Sequence, residues 1–232
     1  MITGALSGIG LEFAHLFASN GMNLVLIDFL KEKLDSNKLK LEKQYGVIVY
    51  NIGIDLTELN VAKDIYNELK YKKIHIDYLI NNACFCDFGH FAVANWKQQI
   101  KMINMNVAAL TYLTRLFLPD MINEKYGKIL NFASIACFQV GPDMSVFFAT
   151  KAYVLSFSEA IANELKGTGV VVTVLCSDVD ESLFKNMLEL DSGKLNNGNK
   201  LTPKGIAKFG YSMMMKGRSV VVHGFMNKIL TH

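Results

Sequence analysis

Helical and strand-forming segments alternate along the whole 232-residue chain, and this alternation predicts an α/β fold: a doubly wound, mostly parallel sheet with helices on both faces, in a single domain. Two further observations agree. A glycine-rich turn at residues 3–10 runs straight into a helical pattern, and an apolar run ending in Asp28 reads as a buried parallel strand with an acid at its C-terminal edge. The apolar fraction of 51% supplies one large core, and no internal repeat or interdomain linker divides the chain.

Each element has its own signal. Leu11 to Ala18 has a helical apolar pattern and is closed by Asn20-Gly21; Met22 to Ile27 is the strand before Asp28. Helix is predicted over Lys31–Gln44 and strand over Val47–Gly53, after which Asp55-Leu56-Thr57 starts a helix that runs to Lys72. Ile76–Ile80 is a strand stopped by Asn81-Asn82-Ala83-Cys84, and a long helical region covers Trp96–Asn123. Lys128–Ala133 is a strand ending at Ser134, Met144–Lys166 a helix, Gly169–Cys176 a strand, Thr202–Lys216 a helix and Ser219–His223 a closing strand. The polar segment 182–199 is expected to form a mobile cover over the C-terminal edge of the sheet, with Ser182, Phe184 and Met187 closing on a bound cofactor. Only Met1-Ile2 precede the first turn, so the central strand is short of ladder partners, and a few natural residues are expected ahead of it.

Composition narrows the function. A net charge of +3, from 24 basic and 21 acidic residues, is too mild and dispersed for nucleic acid or an anionic membrane, and the Lys70–Lys73 stretch reads as a solvated helix end. Cysteines 84, 86, 137 and 176 show no repeated CxxC and no His at ligand spacing, which favours reduced thiols in the cytoplasm over bridges or a metal site. No apolar run of membrane-spanning length and no signal-peptide pattern is present.

The chemistry starts at Gly4-x3-Gly8-x-Gly10. Gly4 and Gly8 permit tight backbone geometry, Gly10 permits close helix packing, and the helix N-terminus offers N–H groups to a pyrophosphate. Glycine turns also occur without ligands, so the turn alone leaves both readings open. Asp28, 18 residues beyond Gly10, either faces solvent as a turn acid or accepts both hydroxyls of an adenosine ribose. Its charge would repel a 2′-phosphate and no arginine follows it, so NAD is favoured over NADP as cofactor.

Taken together, these motifs resemble the short-chain dehydrogenase/reductase family, from Ile2 to the C-terminal segment. Thr3, Gly4, Ser7, Gly8, Ile9 and Gly10 look like its cofactor turn, and Asp55 with Leu56 like its adenine contact. Asn81-Asn82-Ala83 resembles its NNAG segment, Asn106 its active-site asparagine, Ser134 its catalytic serine and Lys151 its catalytic lysine. Gly89 to Phe91, Gly141-Pro142 and the run Ala152 to Glu164 look most like its broad bacterial subset of uncharacterised oxidoreductases. The resemblance implies a Rossmann-like sheet of about seven strands, a homodimer or homotetramer, and reversible hydride transfer between a nicotinamide and a small alcohol or carbonyl compound. It also implies cofactor contacts from Asn82, Ala83, Lys151 and Ser182.

Three departures stand out. The family's tyrosine position, four before Lys151 and 13 after Ser134, holds Phe147; the glycine of NNAG is Cys84; and the usual Pro-Gly is Ser177-Asp178. Phenylalanine has no proton to exchange, and loss of a general acid slows such reactions about 10²- to 10⁴-fold. Thr150 lies on a different helix face from Lys151 and is not read as a replacement acid. Two functions therefore stay open: an oxidoreductase of altered or weak activity, and a non-catalytic nucleotide-binding or interaction protein on the same scaffold. The apolar residues Leu110, Leu113, Phe117, Val154, Leu155 and Phe157 are expected to serve a subunit interface, with core packing explaining part of them.

Overall fold

The computed structural model describes residues 1–6, 8–177 and 202–224. Seven strands form one sheet in the order β3-β2-β1-β4-β5-β6-β7. They are β1 (Ile2–Thr3), β2 (Leu24–Asp28), β3 (Val49–Gly53), β4 (Tyr78–Asn81), β5 (Gly127–Phe132), β6 (Val170–Cys176) and β7 (Val220–Val222). Every pairing is parallel, with Ile2 opposite both Leu26 and Ile80. The doubly wound α/β prediction therefore holds.

Parallel strands covered on both faces need apolar side chains at successive positions. β2 shows how that works: Leu24 and Leu26 enter one core cluster, while Val25 and Ile27 enter the cluster on the opposite face. One face is covered by α1 (Gly8–Ser19), α2 (Lys31–Tyr45) and α7 (Pro203–Met215). The other is covered by α3 (Val61–Tyr71), α5 (Leu110–Asn123) and α6 (Ser145–Glu164). α1 buries Ile9, Phe13 and Phe17 at helical spacing. α2 ends at Gly46, in the left-handed region at φ +68, whose N–H bonds the Glu42 carbonyl. α7 starts on Thr202, whose hydroxyl accepts from Gly205 N, with Pro203 in its first turn.

Two details depart from the sequence reading. Thr57 N donates to Asp55 Oδ1 at 2.9 Å, an Asx turn that holds the backbone out of helix, and α3 begins only at Val61. The long helix over Trp96–Asn123 is composite: α4 (Trp96–Ile103) passes through a π-helical stretch, Asn104–Ala109, into α5. Such wide turns commonly mark functional positions, and Asn106 lies in this one.

The core also holds a polar bridge. Asn81 Nδ2 donates to Asn131 Oδ1 at 2.9 Å, Asn131 Nδ2 to Ser158 Oγ at 2.9 Å, and the Ser158 hydroxyl to the Val154 carbonyl at 2.6 Å. It ties β4 and β5 to α6 and so fixes the helix that carries residues 147–151. The chain passes from β3 to β4 over β2 and β1, so winding reverses between β1 and β4, the switch point at which doubly wound folds carry a ligand crevice at the C-terminal strand ends.

Candidate active site

The glycine turn sits at that crevice with the geometry a close backbone approach demands. Gly4 and Gly8 adopt φ +65 and +53. A Cβ on Gly10 would lie 1.9 Å from the Gly4 carbonyl oxygen, so the helix start and the turn are in contact. The Thr3 hydroxyl accepts from the N–H groups of Asn82 and Ala83, both at 3.0 Å, while Asn82 Nδ2 donates to the Thr3 and Gly4 carbonyls at 3.1 Å. Thr3 and Asn82 thus lock the turn to the end of β4. Leu56 is buried behind Asp55. Ser7 and Ser182, with the proposed cover 182–199, lie outside the described residues.

Asp28 is placed at the end of β2 as predicted, but its carboxylate is engaged. Oδ2 accepts from Leu6 N at 3.1 Å and Oδ1 from Phe29 N at 2.8 Å. Burial pushes its pKa up, while these two N–H groups and the charge of Lys33 pull it down. The acid therefore anchors the glycine turn, with one acceptor site of each oxygen taken.

The second half of the site is gathered by β5, α6 and the π-helical stretch. Ser134 follows β5, is buried, and accepts from Ala136 N at 3.2 Å, capping a 3₁₀ turn at Ile135–Phe138. Lys151 is 3% exposed and its Nζ donates to the Phe132 carbonyl at 3.1 Å. The same Nζ lies 5.7 Å from the centroid of the Phe147 ring, within cation–π range. Phe147 is 1% exposed, in an apolar cluster with Cys86, Met102 and Ala136 against which Cys84 packs. The structure thus brings Phe147 and Lys151 together, with Ser134 at the neighbouring strand end.

Asn106 is held from two directions. Its Oδ1 accepts from Phe85 N at 2.9 Å, and its Nδ2 donates to the Phe85 carbonyl at 2.8 Å and to Thr150 Oγ1 at 3.2 Å. Thr150 in turn donates to the Phe147 carbonyl at 2.7 Å. Sequence reasoning set Thr150 aside as a replacement acid and missed this positioning role, because the contact spans 44 residues. Thr150→Val keeps the shape and leaves Asn106 short of an acceptor, so urea unfolding is expected to show a loss of about 1–2 kcal/mol. Thr150→Ser is expected to restore most of it.

Comparison with known proteins settles the family. The family model for the short chain dehydrogenase matches residues 1–187. The chain belongs to the short-chain dehydrogenase family. A very-long-chain 3-oxoacyl-CoA reductase of Anas platyrhynchos is 35% identical over 178 residues, covering 74% of this chain and 56% of the relative. The chain thus spans just over half the length of that reductase. An uncharacterized oxidoreductase of Staphylococcus saprophyticus is 28% identical over 208 residues, covering 90% and 87% of the two chains. Among solved structures, a short-chain dehydrogenase from Sphingobium yanoikuyae in complex with NADPH superposes with a TM-score of 0.87 at 27% identity, covering 97% of this chain and 86% of that one.

That likeness corrects one expectation. NAD was favoured over NADP because Asp28 seemed free to hold a ribose diol and to repel a 2′-phosphate, yet this structural relative carries NADPH. Locally, the Asp28 carboxylate is partly engaged by backbone N–H groups, and Lys33 lies close enough to offset part of the charge that was expected to repel a 2′-phosphate. The absence of an arginine after Asp28 hid the lysines at 31 and 33. Among the described residues no helix is long and apolar enough to cross a membrane.

Proposed function

We propose that this short-chain dehydrogenase family member binds NADP(H) and interconverts a small alcohol and its carbonyl form, with proton transfer weakened by Phe147. The observation that carries the reading is Lys151, a buried side chain of α6 whose Nζ reaches the Phe132 carbonyl at the end of β5 and lies 5.7 Å from the Phe147 ring. A buried cation is costly unless it meets acceptors, and its hydrogen bond to the Phe132 carbonyl leaves further donors for a ribose hydroxyl. The tight turn, in which Gly4 and Gly8 take positive φ and Gly10 packs against the Gly4 carbonyl, brings the N-terminus of α1 to the sheet edge, where its N–H groups suit a pyrophosphate.

The nicotinamide supplies hydride chemistry when bound. In this chain Ser134 orients the substrate oxygen, Lys151 holds the ribose, and Asn106 supports a water that exchanges the proton in place of a phenol. Asn82 and Ala83 line the cofactor side through their contacts with Thr3, and Asp55 and Leu56 border the adenine. Ser7, Ile9 and Ser182 complete the proposed contacts. A homodimer or homotetramer is part of the proposal. Leu110, Leu113, Phe117 and Val154 are buried inside the chain's own core, so the contact would fall to exposed neighbours such as Tyr112 and Tyr153.

Titration calorimetry is expected to show tighter binding of NADPH than of NADH. Lys33→Ala is expected to weaken NADPH about two- to fivefold, as loss of an exposed charge pair worth up to about 1 kcal/mol would do. Equal affinities for the two dinucleotides would overturn the cofactor reading. The second reading, a nucleotide-binding protein without turnover, is favoured by the closure of apolar side chains around Phe147. NADPH binding with no absorbance change across a carbonyl panel would establish it.

A further inference from the structure

Two cysteines that the hydride-transfer reading does not use meet beside the site. Cys137 lies in the 3₁₀ turn capped by Ser134, and Cys176 ends β6, 39 residues further on. Their sulfurs are 3.6 Å apart, with the Cys137 thiol directed at Cys176. The backbone holds the two segments in register: Ala133 N donates to the Leu175 carbonyl at 2.9 Å and Ile135 N to the Ser177 carbonyl at 3.0 Å. Cys176 is fully buried, while Cys137 is partly exposed. Cys137 is therefore the more accessible residue of the pair.

We propose that Cys137 and Cys176 form a peroxide-sensitive dithiol that closes reversibly to a disulfide three residues beyond Ser134. Hydrogen peroxide is the oxidant. The Cys137 sulfur attacks one peroxide oxygen, the O–O bond breaks, and the departing hydroxide takes the thiol proton as water, leaving a sulfenic acid. The Cys176 sulfur then attacks the Cys137 sulfur, the S–O bond breaks, and the hydroxyl leaves with the Cys176 proton as a second water. Two thiols are oxidised by two electrons and one peroxide is reduced. Bond formation needs the sulfurs to close from 3.6 Å to about 2.0 Å by side-chain movement. The contact with Cys137, and then burial, push the Cys176 thiol up, so it reacts second. Cys86, pushed up to about 12 by burial, stays inert.

The proposal does not rest on hydride transfer, so it is tested apart from it. The reduced 232-residue chain is treated with equimolar hydrogen peroxide, alkylated and digested with trypsin without reductant. The expected product joins the peptides 129–151 and 167–185, which hold one cysteine each, at a mass about 2 Da below their sum, and dithiothreitol separates them. Cys137→Ser is expected to abolish the link, and Cys84→Ser to leave it unchanged. In Cys176→Ser, treated with at least two equivalents of peroxide, Cys137 is expected to proceed to sulfinic acid. Separately alkylated peptides after peroxide, sulfinic acid on Cys137 with Cys176 still free, or a link to Cys84 or Cys86 would each overturn it.

Discussion

Phe147→Tyr is expected to raise kcat/KM with NADPH about 100-fold or more on at least one carbonyl substrate, equivalent to about 3 kcal/mol of transition-state stabilisation. The change adds one oxygen to a ring already held 5.7 Å from Lys151 Nζ, on a helix fixed through Ser158 and Asn131. A phenol there has an adjacent ammonium to lower its pKa from the free value of about 10. The gain is therefore expected to disappear when Lys151→Met is added, and NADPH affinity in the single variant is expected to change little. Steady-state loss of NADPH absorbance over ketones, aldehydes and oxoacyl compounds is the assay. A folded, NADPH-binding Phe147→Tyr protein with no gain on any of them would leave the non-catalytic reading standing. It would also implicate Cys84, which packs against the Phe147 cluster, and Ser177, where side chains replace the family's usual glycine and Pro-Gly.

Gly10→Ala is expected to be severely destabilising and to weaken cofactor binding. Its Cβ would sit 1.9 Å from the Gly4 carbonyl oxygen and 2.6 Å from Asn82 Nδ2, and the first is backbone that cannot rotate aside. The turn must open, which breaks the Asn82 bonds to Thr3 and Gly4 and moves the start of α1. We expect about 3 kcal/mol or more of stability lost in urea unfolding, in the range of severe overpacking, and at least tenfold weaker NADPH binding by calorimetry. Gly21→Ala supplies the contrast: a Cβ there meets nothing within 4 Å, and only the positive φ of +75 opposes it. Its expected cost is about 1–2 kcal/mol with unchanged affinity. Native NADPH affinity in Gly10→Ala would show that the turn is not the phosphate cradle.

The two variants differ in how much of their rationale can be read along the chain. Phe147 is placed by its spacing from Ser134 and Lys151, distances a helix and a strand end set locally, so the missing phenol is visible without coordinates. The seven strands and their helices are visible for a similar reason. Buried parallel strands and amphipathic helices carry different apolar periods, and glycines punctuate them. The start of α3 shifted because a side chain competed with the backbone: Asp55 delays the helix to Val61.

What the linear order could not disclose is which polar atoms are already spent. The Asp28 carboxylate looks free beside a strand end, and only the fold shows Leu6 N, 22 residues away, donating to it. Asn106 and Thr150, or Cys137 and Cys176, become partners because the parallel register brings β5 beside β6 and lays α6 across the π-helical turn. Local preference acts between neighbours in sequence. Hydrogen-bond occupancy and sulfur proximity are set by neighbours in space, and those exist only once the sheet has paired and its helices have packed.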